Sequence, residues 1–357
     1  MEICLYDPEQ GYYSRNLEQF GKAGDFYTSS DVHAVFGRLL ARQFEEMWRV
    51  LGSPEQIELL ELGPGRGLFA RDVLDWSEKR VPEFFGALHY SLNERSAALR
   101  ERLRVTLERH LAAGTASIAE WSKPSSPGVA TIVFANEFFD ALPVEVLSAK
   151  GELRIAEDKG LLVEAWVAAS AEDLEYLDRY GVHPEDGERV ETARVAQSYM
   201  TRLAQTIERG FIVTIDYGYT RAEQLAGRHR GTVMAYRQHS ASTDPYEAPG
   251  EQDITAHVNF TALAVAAQQQ GMQVQPLLTQ SQFLMGIGET NQFADAFEDC
   301  RLAQEQAKVA LQLKHLVTPA GMGESFQVLV ASKAVAAEHV AGLKGLSFGS
   351  HSARTTA

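Results

Sequence analysis

Glu61, Gly63, Gly65 and Gly67 stand at alternating positions of Glu61-Leu-Gly-Pro-Gly-Arg-Gly67, a pattern with the residue types and spacing of a ligand site. Glycine has no Cβ and takes positive φ at little cost, so such a run lets the backbone turn sharply and approach a ligand closely. The spacing discriminates among ligands. A dinucleotide fingerprint needs its third glycine at position 68, which is leucine, and a P-loop needs a Lys-Ser/Thr pair that does not follow here. A carboxylate at position 61 would repel a pyrophosphate but suits a cation. S-adenosylmethionine carries an amino group and a sulfonium and no phosphate, so the pattern predicts it as the cofactor, against the blander reading of a strand-to-helix connection that only needs small residues.

A second group of polar residues belongs with this turn. Glu94 follows the strand-like His89-Tyr-Ser-Leu-Asn93, where nucleotide-binding α/β folds hold ribose hydroxyls; the alternative is an acid at a helix N-terminus. Asn136, Glu137 and Asp140 interrupt the otherwise apolar Asn136-Glu-Phe-Phe-Asp-Ala-Leu-Pro143, directly after the apolar run Ala130–Ala135. They are the candidates for the acceptor side of the reaction, with capping of the next turn as the competing role for Asp140.

The elements that must position these groups follow from periodicity. Ile57–Leu62 and Ala130–Ala135 read as buried parallel strands, Leu68–Lys79 as a helix, His89–Asn93 and Ala116–Ile118 as further strands. Residues 144–168 alternate between turns at Lys150-Gly151 and Asp158-Lys-Gly160, which predicts an antiparallel insertion. A helix is expected over 190–208, a buried strand over 210–216, and a long polar, lid-like segment over 231–260. A helix over 262–270, a strand over 273–278, helical runs between 281 and 315 and a strand over 326–331 complete the expectation. The resulting layout is a cap segment over 1–50 and a catalytic domain over 51–335. Its core is 55–140 and 205–335, its insertion 141–204, and a disordered tail follows over 336–357.

Composition narrows the function classes. The 357 residues are 45% hydrophobic with a formal net charge of -15, which supports a sizeable core and disfavours nucleic acid or an anionic membrane as the main partner. An acidic surface suits a basic protein substrate as well as plain solubility. The only cysteines, Cys4 and Cys300, lie far apart in no metal spacing, and no apolar run reaches the length of a membrane span. With no signal peptide in the opening residues, the expected compartment is the cytoplasm. No Gly-x-Ser-x-Gly elbow or His-Glu-x-x-His motif is present, and no metal is expected. His229, His239 and His257 fall in polar segments where they could act as acid or base, or be surface residues.

Taken together, Tyr6-Asp-Pro-Glu-Gln-Gly-Tyr-Tyr13, Gly24-Asp-Phe-Tyr-Thr-Ser29, the Glu61–Gly67 turn, Asn136–Pro143, Asp216-Tyr-Gly218 and Asp253-Ile-Thr-Ala-His257 resemble the MidA family of S-adenosylmethionine-dependent methyltransferases. That family includes the mitochondrial complex I assembly methyltransferase. The resemblance runs from the start of the chain to about residue 331. It departs at Asn259, where aspartate is common. It implies a Rossmann-like, seven-stranded class I methyltransferase sheet with helices on both faces. It also implies protein arginine methylation as the favoured activity and a respiratory complex subunit as a candidate substrate. Two other functions stay open at this point: methylation of a small molecule, and an assembly or scaffold role that keeps the cofactor site.

Overall fold

The computed structural model describes residues 1–15, 34–119, 128–237 and 240–348. The Gly24–Ser29 motif, His239 and residues 349–357 lie outside them. The described residues divide into two compact units, one drawn from 34–136, 204–215 and 271–348, the other from 1–15, 137–203 and 216–270.

The first unit is built on a mixed sheet whose central strands run parallel and whose edge beside the strand Phe326–Lys333 is antiparallel. Its strands are β1 (Ile57–Leu62), β2 (Leu88–Asn93), β3 (Ala116–Ala119), β4 (Ala130–Asn136), β5 (Gly210–Tyr219), β6 (Gln273–Val274) and β7 (Phe326–Lys333), in the order β6-β7-β5-β4-β1-β2-β3. The last four residues of β5 belong to the second unit. β1 pairs in parallel with β2 on one side and β4 on the other, Leu59 standing opposite both Tyr90 and Ile132. Strand order therefore reverses at β1, and in open α/β sheets ligands bind outside the carboxyl ends of the strands at such a switch point. The main path thus holds the seven strands expected from the sequence, and two two-residue strands, 258–259 on β5 and 278–279 on β7, pair off it.

Apolar side chains hold helices Val35–Val50 and Leu68–Arg80 near the sheet. Phe69 stacks on Phe134 of β4 at 4.5 Å and 21°, and Phe44 meets Phe134 edge-on at 5.5 Å. Burying each of these rings contributes about 1.5–3 kcal/mol.

Local readings differ from the structure in four places. Residues 190–192 form a strand paired with 145–147, and the helix starts at Arg194, because Val190 and Thr192 fit an edge position in the insertion sheet. The insertion itself is four-stranded and antiparallel, with helix Ala171–Tyr180 capped by Ser170. The polar stretch 231–260 carries its own antiparallel strands, Met234–Arg237, Ser240–Ser242 and Asp253–Thr255, whose short length hid their alternation. The strand expected over 273–278 is two two-residue pieces, 273–274 and 278–279, both antiparallel to β7. Finally, residues 337–341 and 344–347 are helical rather than disordered. The second of these helices is held by Lys344 N–H on Glu46 and Gly345 N–H on Gln43 Oε1, at 2.9 and 2.8 Å. A Cβ at Gly345 would stand 2.4 Å from the Phe283 ring, so only glycine permits this approach.

Candidate active site

The glycine turn joins β1 to the helix Leu68–Arg80. Gly63, Gly65 and Gly67 have φ of 62°, 53° and 76°, the left-handed region where other residues are strained. Gly63 N–H donates to the Asn93 carbonyl at 3.1 Å, tying the turn to the end of β2, and Gly67 N–H closes on Pro64 at 2.9 Å. A Cβ on Gly67 would come within 2.7 Å of Leu103 Cδ2. The turn thus sets glycine backbone at the N-terminus of the helix, with the Gly65 N–H on the Glu94 carboxylate.

Two carboxylates share this neighbourhood. Glu61 is 5% exposed and its Oε2 accepts from the Tyr90 hydroxyl at 2.8 Å. Burial raises its pKa to about 8, Tyr90 opposing and the charge on Glu94 adding. Glu94 is also buried, with Oε1 accepting from Ser96 N–H at 2.8 Å; burial raises it to about 7, against the pull of the Ser96 N–H and the Arg100 charge. Beside them Asn93 Nδ2 is buried with no hydrogen-bond partner among the described residues. Two buried acids, an orphaned donor and a glycine-rich turn are what a cationic, ribose-bearing ligand would satisfy, so the residues present fit S-adenosylmethionine. Glu61, the three glycines and Glu94 are the residues that the sequence pattern singles out; Tyr90, bonded to Glu61, and Asn93 carry no sequence signal beyond their place on β2.

The acceptor-side candidates lie where the chain leaves β4. Asn136 is the last residue of β4, paired with Ile215. Within the second unit, Glu137 has φ 50°, an uncommon value for a residue with a Cβ. Asp216 explains how the loop is held. Its Oδ2 accepts from the N–H groups of Phe138, Phe139 and Asp140 at 3.2, 3.0 and 3.3 Å, and its Oδ1 from Tyr217 N–H at 2.9 Å. Burial raises the Asp216 pKa above the ordinary carboxylate range, the Asp140 and Glu137 charges adding to it. Asp140 is 5% exposed, and its Oδ2 accepts a short hydrogen bond from the Tyr217 hydroxyl. Burial lifts Asp140 to about 6, with Tyr217 pulling the other way. The sequence reading named Asn136, Glu137 and Asp140; it saw Asp216 and Tyr217 only as a motif at a strand end.

Two histidines without an assigned role meet in the same unit. His229 Nδ1 lies 3.0 Å from His257 Nδ1, so one ring donates and the other accepts. Burial, with His229 adding, lowers His257 to about 4, and burial lowers His229 as well. His257 N–H donates to Thr232 Oγ1 at 3.1 Å, and Thr232 N–H to the buried Glu191 at 2.7 Å. Asn259 is a helix cap: its side chain accepts from Ala262 N–H at 3.0 Å and donates to the Tyr180 carbonyl at 2.9 Å. The amide serves both bonds at once, which a carboxylate could not.

Among the described residues no group of three or more His, Cys, Asp or Glu could hold a metal ion, and no helix is long and apolar enough to cross a membrane.

Residues 39–278 match the family described as S-adenosyl-L-methionine-dependent methyltransferases. A Drosophila melanogaster relative named protein arginine methyltransferase NDUFAF7 homolog, mitochondrial, is 28% identical over 372 residues, covering 95% of this chain and 82% of its own length. The human protein arginine methyltransferase NDUFAF7, mitochondrial, is 27% identical over 360 residues, covering 91% and 77%. The crystal structure of a COG1565 superfamily member from Burkholderia thailandensis bound to S-adenosyl-homocysteine has a TM-score of 0.84 at 28% identity, covering 98% of this chain and 90% of that one. The Drosophila and human relatives are named as mitochondrial, which overturns the cytoplasmic assignment drawn from the opening residues. The strand order, the glycine turn with its acids and the family match over most of the chain lead to one conclusion: this chain belongs to the S-adenosyl-L-methionine-dependent methyltransferase family, with S-adenosylmethionine as its cofactor.

Proposed function

We propose that this enzyme methylates arginine side chains of a protein, with Glu61, Gly63, Gly65, Gly67 and Glu94 holding the cofactor and Asn136, Glu137 and Asp140 serving the acceptor. When bound, S-adenosylmethionine supplies a methyl group activated by a sulfonium. The observation that carries the acceptor reading is Asp140. It is almost fully buried, one oxygen is taken by Tyr217, and Oδ1 has no hydrogen-bond partner among the described residues. A guanidinium is always charged at physiological pH and offers paired N–H donors to a carboxylate, so it answers that vacancy. Glu137, three residues earlier in the same loop, is a second carboxylate for the same cation.

On methylation the guanidinium nitrogen gains a carbon and gives up one proton. Asp140, raised to about 6 by burial, is placed in this reading to orient that nitrogen and to take the proton. Asp216 acts through the backbone, keeping residues 138–140 in place. The names of the relatives support a protein arginine as acceptor, and the MidA resemblance supports a respiratory complex subunit.

The test is transfer of labelled methyl from S-adenosylmethionine into a lysate of cells lacking the gene, followed by hydrolysis and amino-acid analysis. Methylarginine in the protein fraction is the expected product. Label confined to small molecules, or to another amino acid, would falsify the reading.

A further inference from the structure

A second carboxylate–tyrosine pair stands in the same unit as Asp140 and Tyr217. Asp253 is 3% exposed, and its Oδ1 accepts from the Tyr13 hydroxyl at 2.9 Å across 240 residues of sequence. No local turn or helix cap calls for that bond. Tyr236 is the register partner of Asp253 in the antiparallel pair of 234–237 with 253–255, so both side chains leave the same face. The two pairs are linked through the backbone, because Ala256 N–H donates to the Asp140 carbonyl at 3.0 Å. Tyr6 adds to the link, its hydroxyl donating to the Ala141 carbonyl at 2.9 Å and its ring stacking on Tyr13 at 5.7 Å. Tyr13 and Tyr236 each lie within the field of both carboxylates. Tyr13, Tyr217 and Tyr236 are only partly buried, whereas both carboxylates are deeply buried.

A buried carboxylate is costly unless a cation or hydrogen-bond donors satisfy it. No basic side chain of the described residues pairs with Asp140; the backbone N–H groups of Asp140 and Ala141 ease its charge, but its Oδ1 makes no well-formed hydrogen bond among them. Tyrosine rings around such a position favour a flat cation, which can stack on them while donating at its edge.

Building on the arginine reading above, we propose that Asp253, Tyr13 and Tyr236 form, with Asp140 and Tyr217, the subsite that receives the acceptor guanidinium. Asp140 and Asp253 take its N–H groups and the tyrosine rings flank its plane. Selection for arginine over a neutral isostere then comes from two buried carboxylates. Selection over lysine comes from the flat shape of the site.

The experiment is calorimetry on the full chain saturated with S-adenosyl-homocysteine. The probes are N-acetyl-arginine-methylamide, its citrulline counterpart, which has the same shape without the charge, and its lysine counterpart. The arginine probe is expected to bind at least about tenfold more tightly than either of the others. Asp253→Asn should collapse that preference to within about twofold while leaving S-adenosyl-homocysteine affinity unchanged. Asp253→Glu should restore part of it. Tyr13→Phe keeps the ring and loses the hydroxyl, so it should weaken the arginine probe without removing the preference, and it carries the test if Asp253→Asn fails to fold. Equal binding of arginine and citrulline probes, a preference untouched in Asp253→Asn, or an arginine-probe affinity unchanged in Tyr13→Phe, overturns the subsite. Methylarginine in the lysate hydrolysate together with that result would leave the proposed function standing and remove only this assignment. A methylated residue other than arginine would remove both.

Discussion

The glycine turn and the carboxylate–tyrosine cluster are assembled over very different distances along the chain. Residues 61–67 make the turn by themselves, and 90–94 add one neighbouring strand end in parallel register. The cluster takes Tyr13, Asp140, Tyr217, Tyr236 and Asp253 from five separate stretches. A backbone site needs the right φ at consecutive residues, whereas a side-chain site needs long-range packing to deliver each group. The first kind is damaged by adding atoms and the second by removing polar ones.

The largest effect should come from the turn. Gly65 has φ 53°, so Gly65→Val adds a branched side chain where the backbone must stay open and strains it besides. Cofactor binding in calorimetry should fall by at least about 100-fold, a loss of more than roughly 2.7 kcal/mol, with the helical circular dichroism retained. Undiminished affinity would refute the assignment of the turn.

Glu94→Ala tests the neighbouring acid. If Glu94 holds the ribose hydroxyls, its loss should weaken the cofactor by about 1.5–3 kcal/mol, the range for hydrogen bonds to a charged group. An affinity within a factor of about two of the parent would reduce Glu94 to an acid that holds the Ser96 N–H.

The other region should respond in rate rather than in cofactor affinity. Glu137→Gln and Asp140→Asn should each lower methyl transfer to protein by at least about tenfold, roughly 1.4 kcal/mol in the barrier, while the cofactor dissociation constant hardly changes. Full transfer activity in both variants, or loss of cofactor binding in either, would erase the proposed division of roles.

The smallest effect is on stability and pH. Glu61 and Glu94 have pKa values of about 8 and 7 in the folded chain, above the ordinary 4.5, so the folded state holds more protons than the unfolded state across that interval. Stability of the cofactor-free protein should therefore be greatest near the ordinary carboxylate pKa and fall as pH rises toward about 8. Glu61→Gln should flatten the upper part of this decline, between about pH 7 and 8, by a few degrees in melting temperature. A melting profile with the same slope in parent and variant over that window would show that Glu61 is not the group responsible.

The sequence by itself determined the strand–glycine–helix unit and most of the sheet. β4 is an apolar run and β1 and β5 are largely apolar, short segments that favour buried strands, and three alternating glycines admit few backbone paths. Periodicity failed where elements were short or bound by partners far away. Val190–Thr192 is a strand because 145–147 is there to pair with it, and 344–347 is ordered because Gln43 and Glu46 accept its N–H groups. Only the tertiary structure decided that Asp216 would grip residues 138–140, that Asn259 would cap a helix, and that Tyr13 would find Asp253. Local backbone preference is written in neighbouring residues. The partner of a buried polar side chain is chosen by the whole fold, since every such group must meet one wherever the chain brings it.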